Sequence, residues 1–464
     1  MSGQQQRFYI ETLGCPKNQV DSDKLIGTLL ADGMVAVQSA EEADLVVVNT
    51  CAFIDEARRE SIDTILSLDE QRPASSRLVV TGCMAERYGA ELAAELPEVD
   101  MVAGFGVPVQ QAAARKLIPV GSAPVPTLDL LNLPRPKSSS PWAYVKIAEG
   151  CDRSCGFCAI PSFRGPQRSR DVDSILREVD ELQAREIVLI AQDLASYGKD
   201  RPEELGAGSI VSLVRRVSAM VDRTRLLYLY PSDLSDGLID AILDTGVPYF
   251  DLSLQHVSKT LLRRMRRWGD GSRFLDRIED IRRREPDAAF RSNFIVGYPG
   301  ETESDHDQLL DFVESAQLDW CGFFAYSPEE GTYAVDLDGA VPDSLVRERL
   351  AELSELQDSI TARRRDDLIG REICARHWVR TLRPTDELAK SALTDRMWHD
   401  DVVPVDPNAI ATWANAVTVG RILVSPLMFV VIPDSAGGSW VAFALWFVLC
   451  SSDGIDGYLA RRHG

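Results

Sequence analysis

Residues 142–158 read Trp142-Ala-Tyr-Val-Lys-Ile-Ala-Glu-Gly-Cys-Asp-Arg-Ser-Cys-Gly-Phe-Cys158. The apolar run at 143–148 predicts a strand, and Glu149-Gly150 turns out of it. Three cysteines follow at once, Cys151, Cys155 and Cys158, in a chain with only nine cysteines among 464 residues. Structural zinc takes four ligands, usually in paired knuckles, and no second pair lies nearby. An iron–sulfur cluster normally takes four thiolates, so three on a four-iron cluster leave one iron open to a substrate or cofactor. The spacing therefore points to iron–sulfur chemistry at the carboxyl end of a strand, with zinc as the bland alternative.

Working outward, strand-like runs recur at 187–191, 226–230, 250–254, 292–296 and 321–325. Helical spacing fills the gaps, for instance at 173–184, 258–284 and 301–316. Six β/α repeats of this kind predict a partial TIM-type (β/α)6 barrel, with its site at the carboxyl ends of the strands. Upstream, the first 105 residues repeat a shorter pattern. Runs at 8–13, 45–48 and 78–80 lead to Cys15, Cys51 and Cys83, followed by helix-like segments at 21–31, 54–68 and 85–96. Such alternation predicts a doubly wound parallel α/β domain. Its loops share one edge of the sheet, so the three cysteines can converge although 36 and 32 residues separate them. The alternative is three unrelated small core residues, since free Cys is often buried. The expected division is an α/β domain at 1–106, a Pro-, Ala- and Ser-rich linker at 107–141, a barrel at 142–370 and an atypical tail at 371–464.

The three-cysteine motif at the end of the first barrel strand resembles the radical S-adenosylmethionine superfamily. That resemblance implies that the open iron chelates S-adenosylmethionine, which reductive cleavage turns into a 5′-deoxyadenosyl radical. Phe157 stands where an aromatic usually lies against the adenine; simple packing beside the cluster is the other reading. The segments Glu11-Thr-Leu-Gly-Cys-Pro-Lys-Asn-Gln-Val-Asp-Ser22, Asn49-Thr-Cys51 and Thr81-Gly-Cys83 resemble the methylthiotransferase family, whose pattern covers about residues 7–370. The resemblance implies two 4Fe-4S clusters, on Cys15, Cys51 and Cys83 and on Cys151, Cys155 and Cys158, with S-adenosylmethionine as cofactor. The stretches Ala159-Ile-Pro-Ser-Phe-Arg-Gly-Pro-Gln-Arg-Ser-Arg170 and Gln192-Asp-Leu-Ala-Ser-Tyr197 are similar to the RimO-type branch. That branch modifies the β-carbon of an aspartate in the small-subunit ribosomal protein numbered twelve. The alternatives are the transfer-RNA branch (MiaB-like) and an inactive membrane-tethered relic. Arg291-Ser-Asn-Phe-Ile-Val-Gly-Tyr-Pro-Gly-Glu-Thr302 resembles the segment near the adenosyl moiety, where Gly297 and Gly300 would permit close approach. Expected partners are the ribosomal protein or assembled small subunit and an electron donor such as flavodoxin or ferredoxin. His256 is expected to be a hydrogen-bonded structural residue, Cys321 and Cys374 structural cysteines, and the run Arg263-Arg-Met-Arg-Arg-Trp268 a solvated helix face.

Fifty basic against 71 acidic residues give a net charge of −21. That balance disfavours bulk attraction to nucleic acid and suits a basic protein substrate. The start, MSGQQQRFYI, has no basic n-region with an apolar core, so a cytoplasmic setting is expected. From about residue 371 the pattern fails, and the small recognition β-barrel of RimO-type enzymes is not legible. Two apolar runs at 422–432 and 440–450 are short of the ~20 residues a span needs, so they read as core segments or as a weak membrane contact through 417–452. Asp453-Gly-Ile-Asp-Gly-Tyr-Leu-Ala-Arg461 resembles the opening of the CDP-alcohol phosphatidyltransferase signature, D-x-x-D-G-x-x-A-R. Its downstream Gly and Asp residues are missing before Gly464, so phosphatidyl transfer is expected to be absent and the tail to mark a gene fusion or frameshift.

Overall fold

The computed structural model describes residues 5–105, 107, 109, 129–206 and 208–367. The tail readings from 368 onward, with Cys374 and the two apolar runs, lie outside the described residues.

The amino-terminal part holds strands β1 (Arg7–Thr12), β2 (Val35–Ala36), β3 (Leu45–Thr50), β4 (Arg77–Gly82) and β5 (Met101–Val102), with helices α1 (Pro16–Ala31), α2 (Asp55–Gln71) and α3 (Cys83–Glu95). The sheet is parallel throughout, in the order β2-β1-β3-β4-β5. Its central strand is buried along its whole length as Leu-Val-Val-Val-Asn-Thr. A strand covered by helices on both faces needs such a continuous run rather than alternation. Chain order reverses between β1 and β3, and ligands of doubly wound sheets bind in the crevice at that point.

The second part continues with β6 (Trp142–Lys146), β7 (Ala148–Glu149), α4 (Ile160–Arg164), β8 (Arg168–Ser169), α5 (Val172–Leu182), β9 (Glu186–Ile190), α6 (Pro202–Leu205), α7 (Ser209–Ser218) and β10 (Arg223–Leu226). It goes on with α8 (Asp236–Leu243), β11 (Tyr249–Gln255), α9 (Lys259–Arg264), α10 (Gly271–Arg284), β12 (Ala289–Val296), α11 (Glu303–Ala316), β13 (Trp320–Ala325) and α12 (Asp343–Asp366). Strands β6, β9 and β10 form one parallel sheet and β11, β12 and β13 another. A parallel bridge from Leu229 to Leu252 joins them. Six parallel strands thus curve into the expected partial barrel. Along β12 every second residue is buried: Phe290, Ser292, Phe294 and Val296. This is the two-residue period of a strand with one face in a core. Phe290 stacks on Phe250 with centroids 5.2 Å apart, and cutting such a buried ring to Ala costs about 3–5 kcal/mol.

One expectation is corrected. The helix expected over 258–284 is two helices, because Arg266 (φ +55°) and Gly269 (φ +108°) take left-handed backbone between α9 and α10. The Arg263–Trp268 run is a solvated helix face only in part: Arg263, Arg266 and Trp268 are exposed, whereas Met265 is buried and Arg264 donates to the Pro299 carbonyl at 2.9 Å. The second half of the stretch read as a linker is also anchored. Arg135 is buried against Asp23 (2.9 Å) and Glu178 (2.8 Å), and the Leu131 carbonyl accepts from Lys24 at 2.7 Å.

Candidate functional site: two thiol triads joined by a buried ionic group

Cys15, Cys51 and Cys83 follow β1, β3 and β4, the strands around the switch point of the first sheet. Asn18, on the first turn of α1, laces their loops together. Its side-chain amide donates to the carbonyls of Leu13 (2.9 Å) and Thr50 (3.0 Å), and its Oδ1 accepts from the Cys83 thiol at 3.6 Å. Two glycines make the convergence sterically feasible. A Cβ on Gly14 (φ +88°) would stand 2.7 Å from Cys51 Cβ, and one on Gly82 (φ +94°) would stand 2.4 Å from Asn49 Oδ1. Cys15 is the N-cap of α1 and Cys83 the first residue of α3. Both sulfurs thus lie at the positive ends of helices, which favours an anionic ligand there. Burial pushes the Cys51 thiol up to about 11 and raises Cys83. At Cys15 burial also acts upward, but Lys17, the nearby backbone N–H groups and Arg164 outweigh it and the thiol is lowered.

Cys151, Cys155 and Cys158 form the loop after β7. The loop is pinned where the backbone leaves the strand: Cys151 N–H donates to the Gly165 carbonyl at 3.1 Å, and Gly156 N–H donates to the Met265 carbonyl at 2.8 Å. Gly150 (φ +80°) again precedes the first cysteine, and a Cβ there would be 2.1 Å from the Pro166 carbonyl oxygen. Arg267 Nη1 reaches Cys155 Sγ at 3.2 Å, and its guanidinium lies 4.2 Å over the Tyr230 ring. Burial pushes Cys151 up to about 11 and Cys158 up to about 12. Such thiols stay protonated at neutral pH unless a metal takes the proton's place.

Between the triads lies a dry group of charges. Arg164, at the end of α4, donates to Asp21 (3.1 Å) and to both Glu149 oxygens (3.2 Å) from Nη1, and to Asn18 Oδ1 (2.8 Å) and Cys83 Sγ (3.1 Å) from Nη2. Lys146 bonds Asp21 and reaches Glu149 at 2.6 Å. Two cations face two carboxylates with almost no solvent exposure, the condition under which a buried ionic group is tolerable. The Lys146 ammonium is held protonated: burial acts against it, but Asp21 and Glu149 win.

Among the described residues, no three Cys, His, Asp or Glu side chains converge as ligands of a single ion. A cluster places its thiolates on different irons, so its ligand set is wider than that of one ion. Three thiols on loops of one sheet edge, with helix ends and cations around them, suit a cluster rather than an isolated metal.

Residues 7–104 match the family described as Uncharacterized protein family UPF0004, residues 145–313 the Radical SAM superfamily, and residues 411–464 the CDP-alcohol phosphatidyltransferase family. The chain is 40% identical over 413 residues to the ribosomal protein uS12 methylthiotransferase RimO of Kineococcus radiotolerans, covering 80% of this chain and 84% of that one. It is 39% identical over 456 residues to the RimO of Saccharopolyspora erythraea, covering 90% and 92%. The chain belongs to the RimO family. A RimO of Moorella thermoacetica is 42% identical over 378 residues, covering 79% of this chain and 87% of its own. In fold, the chain is similar to the radical S-adenosylmethionine methyltransferase TsrM of Kitasatospora setae, with a TM-score of 0.51 at 13% identity over 76% of this chain and 89% of that one.

As a RimO-family enzyme, the chain uses two 4Fe-4S clusters and S-adenosylmethionine. Other expected residues fall in different places. Phe157 is half-buried and packs against the barrel core. Gly297 and Gly300 (φ +81° and +86°) turn the chain after β12, and the space a Cβ would need is already taken by Val346 at 2.5 Å and Arg264 at 2.9 Å. Their positive φ favours glycine at both, and at Gly297 a Cβ would also crowd Val346. His256 is buried and accepts from Ser258 N–H at 3.0 Å, in keeping with a structural role. Cys321 is partly buried against the barrel core. Sequence reasoning missed Asn18, Lys146, Glu149, Arg164 and Arg267 as site residues. The signal open to it was polar residues at helical spacing on an otherwise buried face: Asn18, Asp21, Ser22 and Lys24 are all buried. Among the described residues no helix is long and apolar enough to cross a membrane.

Proposed function

We propose that this chain is a radical methylthiotransferase that replaces a hydrogen on the β-carbon of an aspartate of ribosomal protein uS12 by a methylthio group. The observation that carries the reading is the pair of three-thiol loops held on either side of one buried ionic group, in a chain of the RimO family. Cys151, Cys155 and Cys158 hold the radical cluster, and Cys15, Cys51 and Cys83 hold the auxiliary one. When bound, these groups supply hydrogen-atom abstraction from an unactivated carbon and a methylthio sulfur. The chain's own residues position and shield. Asn18 sets the three amino-terminal loops, the helix ends of α1 and α3 stabilise negative charge between them, and the apolar barrel wall excludes water. Phe157 flanks the adenine, and the turn through Gly297 and Gly300 borders the adenosyl moiety.

The −21 charge favours a basic ribosomal-protein loop, presented free or in the assembled small subunit, over a polyanionic anticodon arm. A flavodoxin or ferredoxin supplies electrons, in the cytoplasm. Residues 417–452 add a weak membrane contact. The deciding experiment is mass spectrometry of uS12 and transfer RNA from cells with and without the gene. A shift of about 46 Da, one methylthio group for one hydrogen, should vanish from uS12. Loss from the transfer RNA pool instead would overturn the substrate.

A further inference from the structure

The Arg164 side chain touches Cys83 of the first triad and Glu149, on the strand that leads into the second. Its Nη1 edge is committed to Asp21 and Glu149, two residues before Cys151, while its Nη2 edge faces Asn18 Oδ1 and Cys83 Sγ. With Lys146, the local sum is two cations against two carboxylates. The carboxylates are therefore already balanced, and the second guanidinium edge remains for the sulfur. Its position is held by packing as well: the Phe105 ring lies 4.0 Å from the guanidinium, and the side chain is 3% exposed. An ion pair serving only to join the two domains would need no sulfur partner.

We infer that Arg164 is a positioning residue of the transfer reaction, donating a charge-assisted hydrogen bond to the Cys83 thiolate of the auxiliary cluster and tying that cluster, through Glu149, to the loop of the radical cluster. The inference rests on the assignment of the auxiliary cluster to Cys15, Cys51 and Cys83. A hydrogen bond to a ligand sulfur stabilises the reduced, more negative cluster and raises its potential. Arg164 thus sets the auxiliary potential while bracing Cys83 against the strand that leads into the radical-cluster loop.

The test is a redox titration of the anaerobically reconstituted full chain followed by electron paramagnetic resonance. The auxiliary signal is identified as the one that survives in a Cys151→Ala/Cys155→Ala/Cys158→Ala variant. In Arg164→Gln the auxiliary midpoint should move negative, so that at a fixed potential its reduced-to-oxidised ratio falls about tenfold, or 59 mV for a one-electron couple. The radical cluster's midpoint should not move, and Arg164→Lys should recover part of the shift. An auxiliary midpoint equal to wild type, with all irons present, overturns the inference. If Arg164→Gln sheds its auxiliary irons, the wild-type chain decides: with ¹⁵N-guanidino arginine, pulsed resonance on the auxiliary signal should show a nitrogen coupling, and none would overturn it. A wild-type chain that binds about four irons rather than eight sinks the cluster assignment itself.

Discussion

Arg267 Nη1 lies 3.2 Å from the sulfur of Cys155, 112 residues away in the chain. The contact exists because the chain between α9 and α10 turns back on itself through left-handed Arg266 and Gly269. The guanidinium is also clamped over Tyr230. A charge-assisted hydrogen bond of this kind contributes about 1.5–3 kcal/mol. Arg267→Gln should therefore slow reductive S-adenosylmethionine cleavage by about 10- to 100-fold, read as 5′-deoxyadenosine formed under anaerobic conditions, while iron content holds. Wild-type rates would remove Arg267 from the cluster's surroundings.

The glycines before the cysteines give a paired prediction. Gly82→Ala puts a Cβ 2.4 Å from Asn49 Oδ1 and 2.5 Å from the Thr50 carbonyl oxygen, and Gly150→Ala puts one 2.1 Å from the Pro166 carbonyl oxygen. Both also strain a left-handed backbone. Each should halve the bound iron, but from opposite clusters: Gly82→Ala keeps S-adenosylmethionine cleavage and Gly150→Ala loses it. Iron analysis with a cleavage assay on both variants separates the two. Full iron in either would show that its loop can relax.

Glu329, in the loop after β13, is buried and takes Arg58 and Arg87 at 2.6 Å each, from α2 and α3 of the first domain. Removing one partner of a buried ion pair strands the other and costs about 3–5 kcal/mol. Glu329→Ala should lower the denaturant midpoint markedly. Replacing Glu329, Arg58 and Arg87 together by apolar residues should restore much of the loss. A triple variant no better than the single one would contradict this account.

His256 predicts an acid limit. Burial pushes its imidazole down to about 4, with His306 and Arg349 acting the same way and Asp305 against. The folded state thus binds a proton less readily than the unfolded state, whose value is 6.5. The stability tied to neutral His256 is complete above pH 6.5 and is lost as pH falls from 6.5 towards 4, up to about 3 kcal/mol. Unfolding curves of wild type and His256→Asn across that window should converge as pH falls. Parallel curves would show that another group governs the acid side.

The sequence-level reading reached the strands because each is a short apolar run that ends where chemistry begins: Leu-Val-Val-Val before Cys51, Leu-Val-Val before Cys83 and the run before Cys151. The same loops carried the six cysteines to their edges. What stayed hidden depends on distance along the chain. Arg164 meets Asp21 across 143 residues and Cys83 across 81, and no local pattern encodes such a pairing. Arg267 was masked by its neighbours, since four arginines within five residues read as solvated surface until a kink turned some of them inward. The kink itself was legible in Gly269-Asp270-Gly271, but helical periodicity on both sides outweighed it. The two-residue strands β2 and β5 were too short to have a period.

The anchored stretch around Arg135 and the charges beneath α1 have a consequence for turnover. Lys24 and Asp21 are sealed between the two domains by Glu178, Lys146 and Arg164, and parting the domains would break these pairs. Separating the two halves during turnover would therefore strand buried charges, so any cycle this chain runs is cheapest with both halves docked.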